Sequence, residues 1–127
     1  MGRATGIKDA FASVVGNRRG GEEDRGLHIV TDENGTTSYY LYPGGPLHRE
    51  NGPAVESITG RREWWVKGKR HRIDGPALIR AVGSTEWWLH GKRHRVDGPA
   101  VEWNSSDGND LDEWWVNGVE TTVPKTT

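Results

Sequence analysis

The chain has 127 residues, of which only 32% are hydrophobic, and a formal net charge of −1. So little apolar material argues against a thick two-layer core, and near-neutrality gives no global field toward nucleic acid or a membrane surface. The absence of cysteine removes disulfides, thiolate metal sites and thiol nucleophiles together.

Residues 1–25 read as an N-terminal helix and flexible arm. Ile7, Ala10, Phe11, Val14 and Val15 recur at helical spacing and form one apolar stripe, with Thr5 placed to cap the helix and Gly16 to end it. Ile7, Phe11, Val14 and Val15 are the residues expected to dock on a partner, because so short a helix is not stable alone. Gly16–Gly26 is charged and Gly-rich, the composition of a flexible linker. Lys8 and Asp9 interrupt the apolar stretch, so no secretory signal is expected. Gly6 stands where a myristoylation signal needs Ser or Thr. No apolar run approaches the length of a membrane span.

Residues 26–123 are expected to form a domain of tandem β-hairpin repeats, followed by a tail over 124–127. The repeat is plain in EWWVKGKRHRIDGPAL (63–78) and EWWLHGKRHRVDGPAV (86–101), with His71 and His94 standing 23 positions apart. Upstream, Tyr39-Tyr40 takes the place of the Trp pair, and His48-Arg49 leads to Asn51-Gly52-Pro53-Ala54-Val55. Further upstream, Gly26-Leu27-His28-Ile29-Val30 resembles the Gly-Pro-Ala-Val strand without its Pro. Downstream, Glu113-Trp114-Trp115-Val116-Asn117-Gly118 begins a copy that loses the His-Arg-x-Asp-Gly-Pro part. Imperfect outer copies are what capping repeats look like.

Within a copy, Trp-Trp-Val has strand propensity. Lys67-Gly68, His90-Gly91 and Asn117-Gly118 predict two-residue type I′ turns. The Gly of Asp74-Gly75-Pro76 and of Asp97-Gly98-Pro99 is expected to supply an unusual φ, and the Pro to start the next strand. Loops of varied length over 57–62, 81–85 and 104–112 then lead to the next Trp pair. The predicted fold is all-β, an antiparallel meander with roughly two strands per copy.

Because side chains alternate along a strand, each Trp pair must split between two faces. Trp64, Trp87 and Trp114 form one column; Trp65, Trp88 and Trp115 form the other, with Tyr39 and Tyr40 continuing them. These six Trp are the candidate contact surface: either one column is core and the other shielded by Pro, Arg stems and loops, or one stays exposed and binds.

His48, His71 and His94, each followed by an Arg (Arg49, Arg72, Arg95) and in two copies by Asp74 or Asp97, invite a metal or acid–base reading. Recurrence argues against it, because catalysis needs a unique convergence of different groups, whereas a repeated residue solves a repeated packing problem. The expected role is structural. Each imidazole stacks on Trp or Pro with its ring N–H bonded to a backbone carbonyl, and each Arg pairs with the turn Asp or the Glu before the Trp pair. No catalytic residue, metal site or cofactor is expected. Phosphate-loop and nucleophile-elbow motifs do not occur. The basic residues 67–72 and 92–95 interleave with Trp, as in a single-strand binder, but acidic residues in the same copies disfavour nucleic acid.

The unit Glu-Trp-Trp-x-x-Gly-Lys-Arg-His-Arg-x-Asp-Gly-Pro-Ala resembles a repeat of phage and giant-virus proteins and, more distantly, MORN-like β-hairpin repeats. The resemblance covers about residues 39–119. It implies a viral or prophage origin and a β-meander, and it assigns no functional residue. The hairpins are also loosely similar to choline-binding repeats, without their regular Gly-Trp spacing. These readings together give the expectation of a non-enzymatic phage structural or accessory protein. Its concrete form is a virion subunit such as a capsid decoration protein, located in the virion or the host cytoplasm. Protein partners are expected, other virion subunits or further copies of the chain, and no membrane. The alternative is a soluble binding module for a host protein, a nucleotide, single-stranded nucleic acid or a cell-wall glycan.

Overall fold

The computed structural model describes residues 24–104 and 111–121. The apolar stripe of Ile7, Phe11, Val14 and Val15, most of the 16–26 linker and the 124–127 tail lie outside the described residues. Within them the chain is all-β and antiparallel. Its strands are β1 (His28–Thr31), β2 (Thr37–Tyr40), β3 (Val55–Glu56), β4 (Arg62–Glu63), β5 (Trp65–Val66), β6 (Lys69–Arg70), β7 (Leu78–Ile79), β8 (Thr85–Glu86), β9 (Trp88–Leu89), β10 (Lys92–Arg93), β11 (Val101–Glu102), β12 (Trp114–Val116) and β13 (Val119–Thr121). No helix of the described residues is long and apolar enough to cross a membrane.

The meander is more finely divided than roughly two strands per copy. One full copy contributes four short segments, β4 to β7. The chain leaves the main sheet at Trp64, forms the β5–β6 hairpin, and returns through Asp-Gly-Pro to the sheet at β7. The main sheet has seven strands in the order β1-β2-β3-β4-β7-β8-β11. Beside it lie three two-stranded hairpins, β5–β6, β9–β10 and β12–β13.

Two strand types alternate across the sheet. The Ala strands (β1, β3, β7, β11) alternate with the Glu strands (the start of β2, then β4 and β8), and Glu113 adds a last one through its bridge to Val101. The Ala of each Gly-Pro-Ala is fully buried: Ala54, Ala77 and Ala100. Each of these Ala carbonyls accepts from the first aromatic of a copy: from the N–H of Tyr39 (2.8 Å), Trp64 (2.8 Å) and Trp87 (2.7 Å). Tyr39, Leu78 and Val101 complete the small core.

The turns follow local chemistry. In the predicted type I′ turns both central residues have positive φ: 50° and 82° at Lys67-Gly68, 51° and 83° at His90-Gly91, 51° and 82° at Asn117-Gly118. Three tips leading to Glu strands are alike, while the longer loop over 104–112 lies mostly outside the described residues. Asp32–Thr36, Ser57–Arg61 and Arg80–Ser84 each close with the first residue's N–H on the fifth residue's carbonyl. Each places a Gly fourth with positive φ (Gly35, Gly60, Gly83), the three-residue hairpin built on a type I turn.

Gly75 and Gly98 differ from the expectation, since neither is in the left-handed region. Both instead stand in close approach to an Arg side chain. A Cβ at Gly75 would stand 2.8 Å from Cζ of Arg72, and one at Gly98 2.8 Å from Cζ of Arg95. The glycine leaves room for a guanidinium rather than for a turn angle.

Candidate functional site

The two aromatic columns are built differently. In the first, each ring carries the Arg that follows the His of its own copy. The Cζ of Arg49 lies 3.9 Å from the Tyr39 ring centroid, that of Arg72 3.9 Å from Trp64, and that of Arg95 4.1 Å from Trp87. These are cation–π distances. The same guanidinium is fixed at its edge. Arg72 donates from Nε to Asp74 (3.2 Å) and from Nη1 to the Pro76 carbonyl (3.1 Å). Arg95 repeats this with Asp97 (3.0 Å) and Pro99 (3.2 Å).

Arg49 shows where the pattern ends. Asn51 stands where Asp74 and Asp97 stand, and the carboxylate comes instead from buried Asp24, which receives Nε (3.2 Å) and Nη2 (3.0 Å) of Arg49. Sequence reading left Asp24 in the flexible arm. The signal was there: the first copy has an Arg and no turn Asp, so a carboxylate was missing from the set. Thr122 occupies the matching Arg position after Trp114 and lies outside the described residues.

The second column is an interleaved ladder. Arg70 lies between Trp65 (4.8 Å) and Trp88 (5.5 Å), and Arg93 between Trp88 (5.3 Å) and Trp115 (5.1 Å). Each guanidinium therefore joins two successive copies. Beneath the ladder, the Glu two residues before each of these Trp accepts its indole N–H: Trp65 on Glu63, Trp88 on Glu86 and Trp115 on Glu113, all at 2.8 Å. Residues i and i+2 share a strand face, which makes this bond recur. The Glu residues pair with Arg61 (2.7 Å), Arg80 (2.6 Å), Arg70 and Arg93, not with the Arg after the His.

Burial alone pushes the Glu63 and Glu86 carboxyls up. The indole N–H and the Arg61 or Arg80 hydrogen bond, with the charges of Arg61 and Arg70 or of Arg80 and Arg93, outweigh it and hold both below the usual carboxylate range.

The histidines form a third row, with a bond opposite to the expected one. Nδ1 accepts rather than donates, and its donor is the backbone N–H of the left-handed turn residue in the next copy. Lys67 donates to His48, His90 to His71 and Asn117 to His94, each at 2.9 Å. The proton of the neutral ring is then on Nε2. His71 packs on the His90 ring, with centroids 4.3 Å apart, rather than on Trp or Pro. Burial, then the charge of His90, lowers the His71 pKa.

All six candidate Trp are half-buried, so neither column is a closed core nor an open aromatic face. The row leaves grooves between copies. One of about 630 Å³ is lined by Arg49 and Asn51 of the first copy and by Trp64, Val66, His71 and Asp74 of the next. Among the described residues no group of three or more His, Asp or Glu could hold a metal ion. No protein-family model, no curated protein and no solved structure matches the chain.

Proposed function

We propose that this protein is a non-enzymatic structural subunit whose repeat sheet is a rigid contact surface, in its most concrete form a virion component such as a capsid decoration protein. The observation that carries the reading is how the repeated polar side chains are used. The His rings accept from the next copy's turn, the Arg residues of the second column bridge two copies, and the Glu residues hold those Arg and the indoles. Chemistry that recurs at every copy and is engaged at every copy stiffens a thin sheet that has little core. The viral setting rests on the resemblance of the repeat to phage and giant-virus proteins, and the N-terminal apolar stripe would serve as the tether. Mass spectrometry of purified particles tests it. Recovery of the chain at a fixed ratio to the major capsid protein is the expected result, and its absence from particles refutes the virion role.

The groove beside Trp64 favours a second reading, a soluble binding module. An aromatic wall flanked by Asn51, Asp74 and Arg49 suits a nucleotide, a single strand or a glycan better than an apolar ligand. A thermal-shift and tryptophan-fluorescence screen with these three ligand classes decides it. No response to any of them leaves protein partners alone.

A further inference from the structure

The two outer copies are complementary halves of one repeat. The first retains the Ala strand, β1, with no Glu-Trp-Trp hairpin ahead of it among the described residues. The last retains that hairpin, Glu113–Thr121, but is followed by Thr122-Val123-Pro124-Lys125-Thr126 where the three preceding copies carry Arg-x-Asn-Gly-Pro or Arg-x-Asp-Gly-Pro.

The sheet edges match this division. Val30 pairs with Ser38 as Leu78 and Val101 pair with Glu86, so Val30 occupies the Leu/Val position of an Ala strand. Leu78 is 1% exposed and Val101 0%, whereas Val30 is 39% exposed. Among the described residues, Leu78 has a Glu strand on each side, and Val30 has one on one side only. At the other edge the Glu113 side chain is 29% exposed, against 2% for Glu86, which has an Ala strand on each side. Among the described residues, one edge therefore lacks a Glu strand and the other an Ala strand.

We propose that the protein associates head to tail with further copies of itself, β1 of one copy adding to the Asp112–Glu113 edge of another and completing the split repeat. The register is given by the chain's own pairings. Glu63 pairs with Leu78 and Arg62 with Ile79, so Glu113 of one copy faces Val30 of the next and Asp112 faces Thr31. Trp114 pairs with Thr121 within its own hairpin, and on association its N–H passes to the Ile29 carbonyl, as those of Trp64 and Trp87 go to Ala77 and Ala100. Exposed strand edges are templates for such addition, and a head-to-tail contact gives a ring if its rotation closes and a filament if it does not. This association stands apart from the virion role: a chain absent from particles would still assemble in this way.

The full chain carries no native cysteine, so a disulfide placed across the contact is diagnostic. The Thr31→Cys/Asp112→Cys double variant, oxidised gently, yields a ladder of multimers on a non-reducing gel, with position 31 joined to position 112 by peptide mapping. Sedimentation velocity of the unmodified chain shows a mean mass that rises with concentration. Val30→Lys, at the half-exposed edge position, abolishes the rise while far-UV circular dichroism is unchanged. A chain that stays monomeric at all concentrations overturns the proposal. So does a 31–112 disulfide formed only within one chain, or association that Val30→Lys leaves intact.

Discussion

Glu86 is a buried carboxylate held by an indole and two guanidinium groups. Its side chain is 2% exposed, accepts from the Trp88 indole at 2.8 Å and from Arg80 at 2.6 Å, and faces Arg93 at 3.6 Å. Glu86→Gln keeps one acceptor, shared by the indole and Arg93, but removes the charge and turns an N–H₂ toward the Arg80 guanidinium. Breaking a buried pair by neutralising one partner costs about 3–5 kcal/mol, and a charged hydrogen bond contributes about 1.5–3 kcal/mol, so a loss of about 3 kcal/mol is expected. Glu113→Gln is the internal comparison. Glu113 holds Trp115 at the same 2.8 Å, but it is 29% exposed and, among the described residues, meets one guanidinium, that of Arg93 at 3.6 Å, so solvent screening reduces the expected loss to about 1 kcal/mol. Urea unfolding followed by tryptophan fluorescence measures both. The pH dependence adds a check of sign. The folded carboxyl of Glu86 titrates below its ordinary value of 4.5, so its contribution is fully present above 4.5 and is lost as pH falls through the folded value. The gap between wild type and Glu86→Gln therefore closes in acid. Equal losses for the two variants, or a gap that widens as pH falls, would refute the ladder as a source of stability.

Gly98→Ala should cost about 1–3 kcal/mol, because its Cβ would meet Cζ of Arg95 at 2.8 Å and push the guanidinium off Trp87; near-ultraviolet circular dichroism would register the change, and an unaltered spectrum counts against it. Asp24→Asn leaves the buried Arg49 fork without its carboxylate, and a thermal scan should show a loss of about 3 kcal/mol even though Asp24 lies outside the recurring motif. His71 titrates below its ordinary 6.5, so its contribution is complete above 6.5 and falls away as pH drops through the folded value. The melting temperature of His71→Gln, which cannot charge, should accordingly change less than that of wild type between neutral and mildly acidic pH.

The motifs that act locally were legible in the sequence. A type I′ turn needs two residues that tolerate positive φ, and x-Gly at 67–68, 90–91 and 117–118 announced it. The splitting of each Trp pair followed from strand alternation, which places Arg72 over Trp64 and Arg70 beside Trp65. What stayed hidden depends on neighbours in space. Nothing in Asp-Gly-Pro distinguishes a glycine needed for its φ from one needed for clearance, and the Arg72 guanidinium above Gly75 decides it. The direction of the histidine bond was misread because its donor, the next copy's turn N–H, is supplied by the fold. The two-strand estimate failed at Trp64, where one continuous strand-like sequence serves first the main sheet and then a hairpin.

The histidine row also says where this chain can change in length. The bond from Lys67 to His48 and that from His90 to His71 each span 19 residues, whereas the bond from Asn117 to His94 spans 23, all at the same 2.9 Å. Four additional residues were accommodated between Trp103 and Asp112 without disturbing the joint. The tips that lead to the Glu strands are thus the chain's expansion joints. Insertions there lengthen the fringe of the sheet, while one residue added between a His and its Ala strand would throw the next copy out of register.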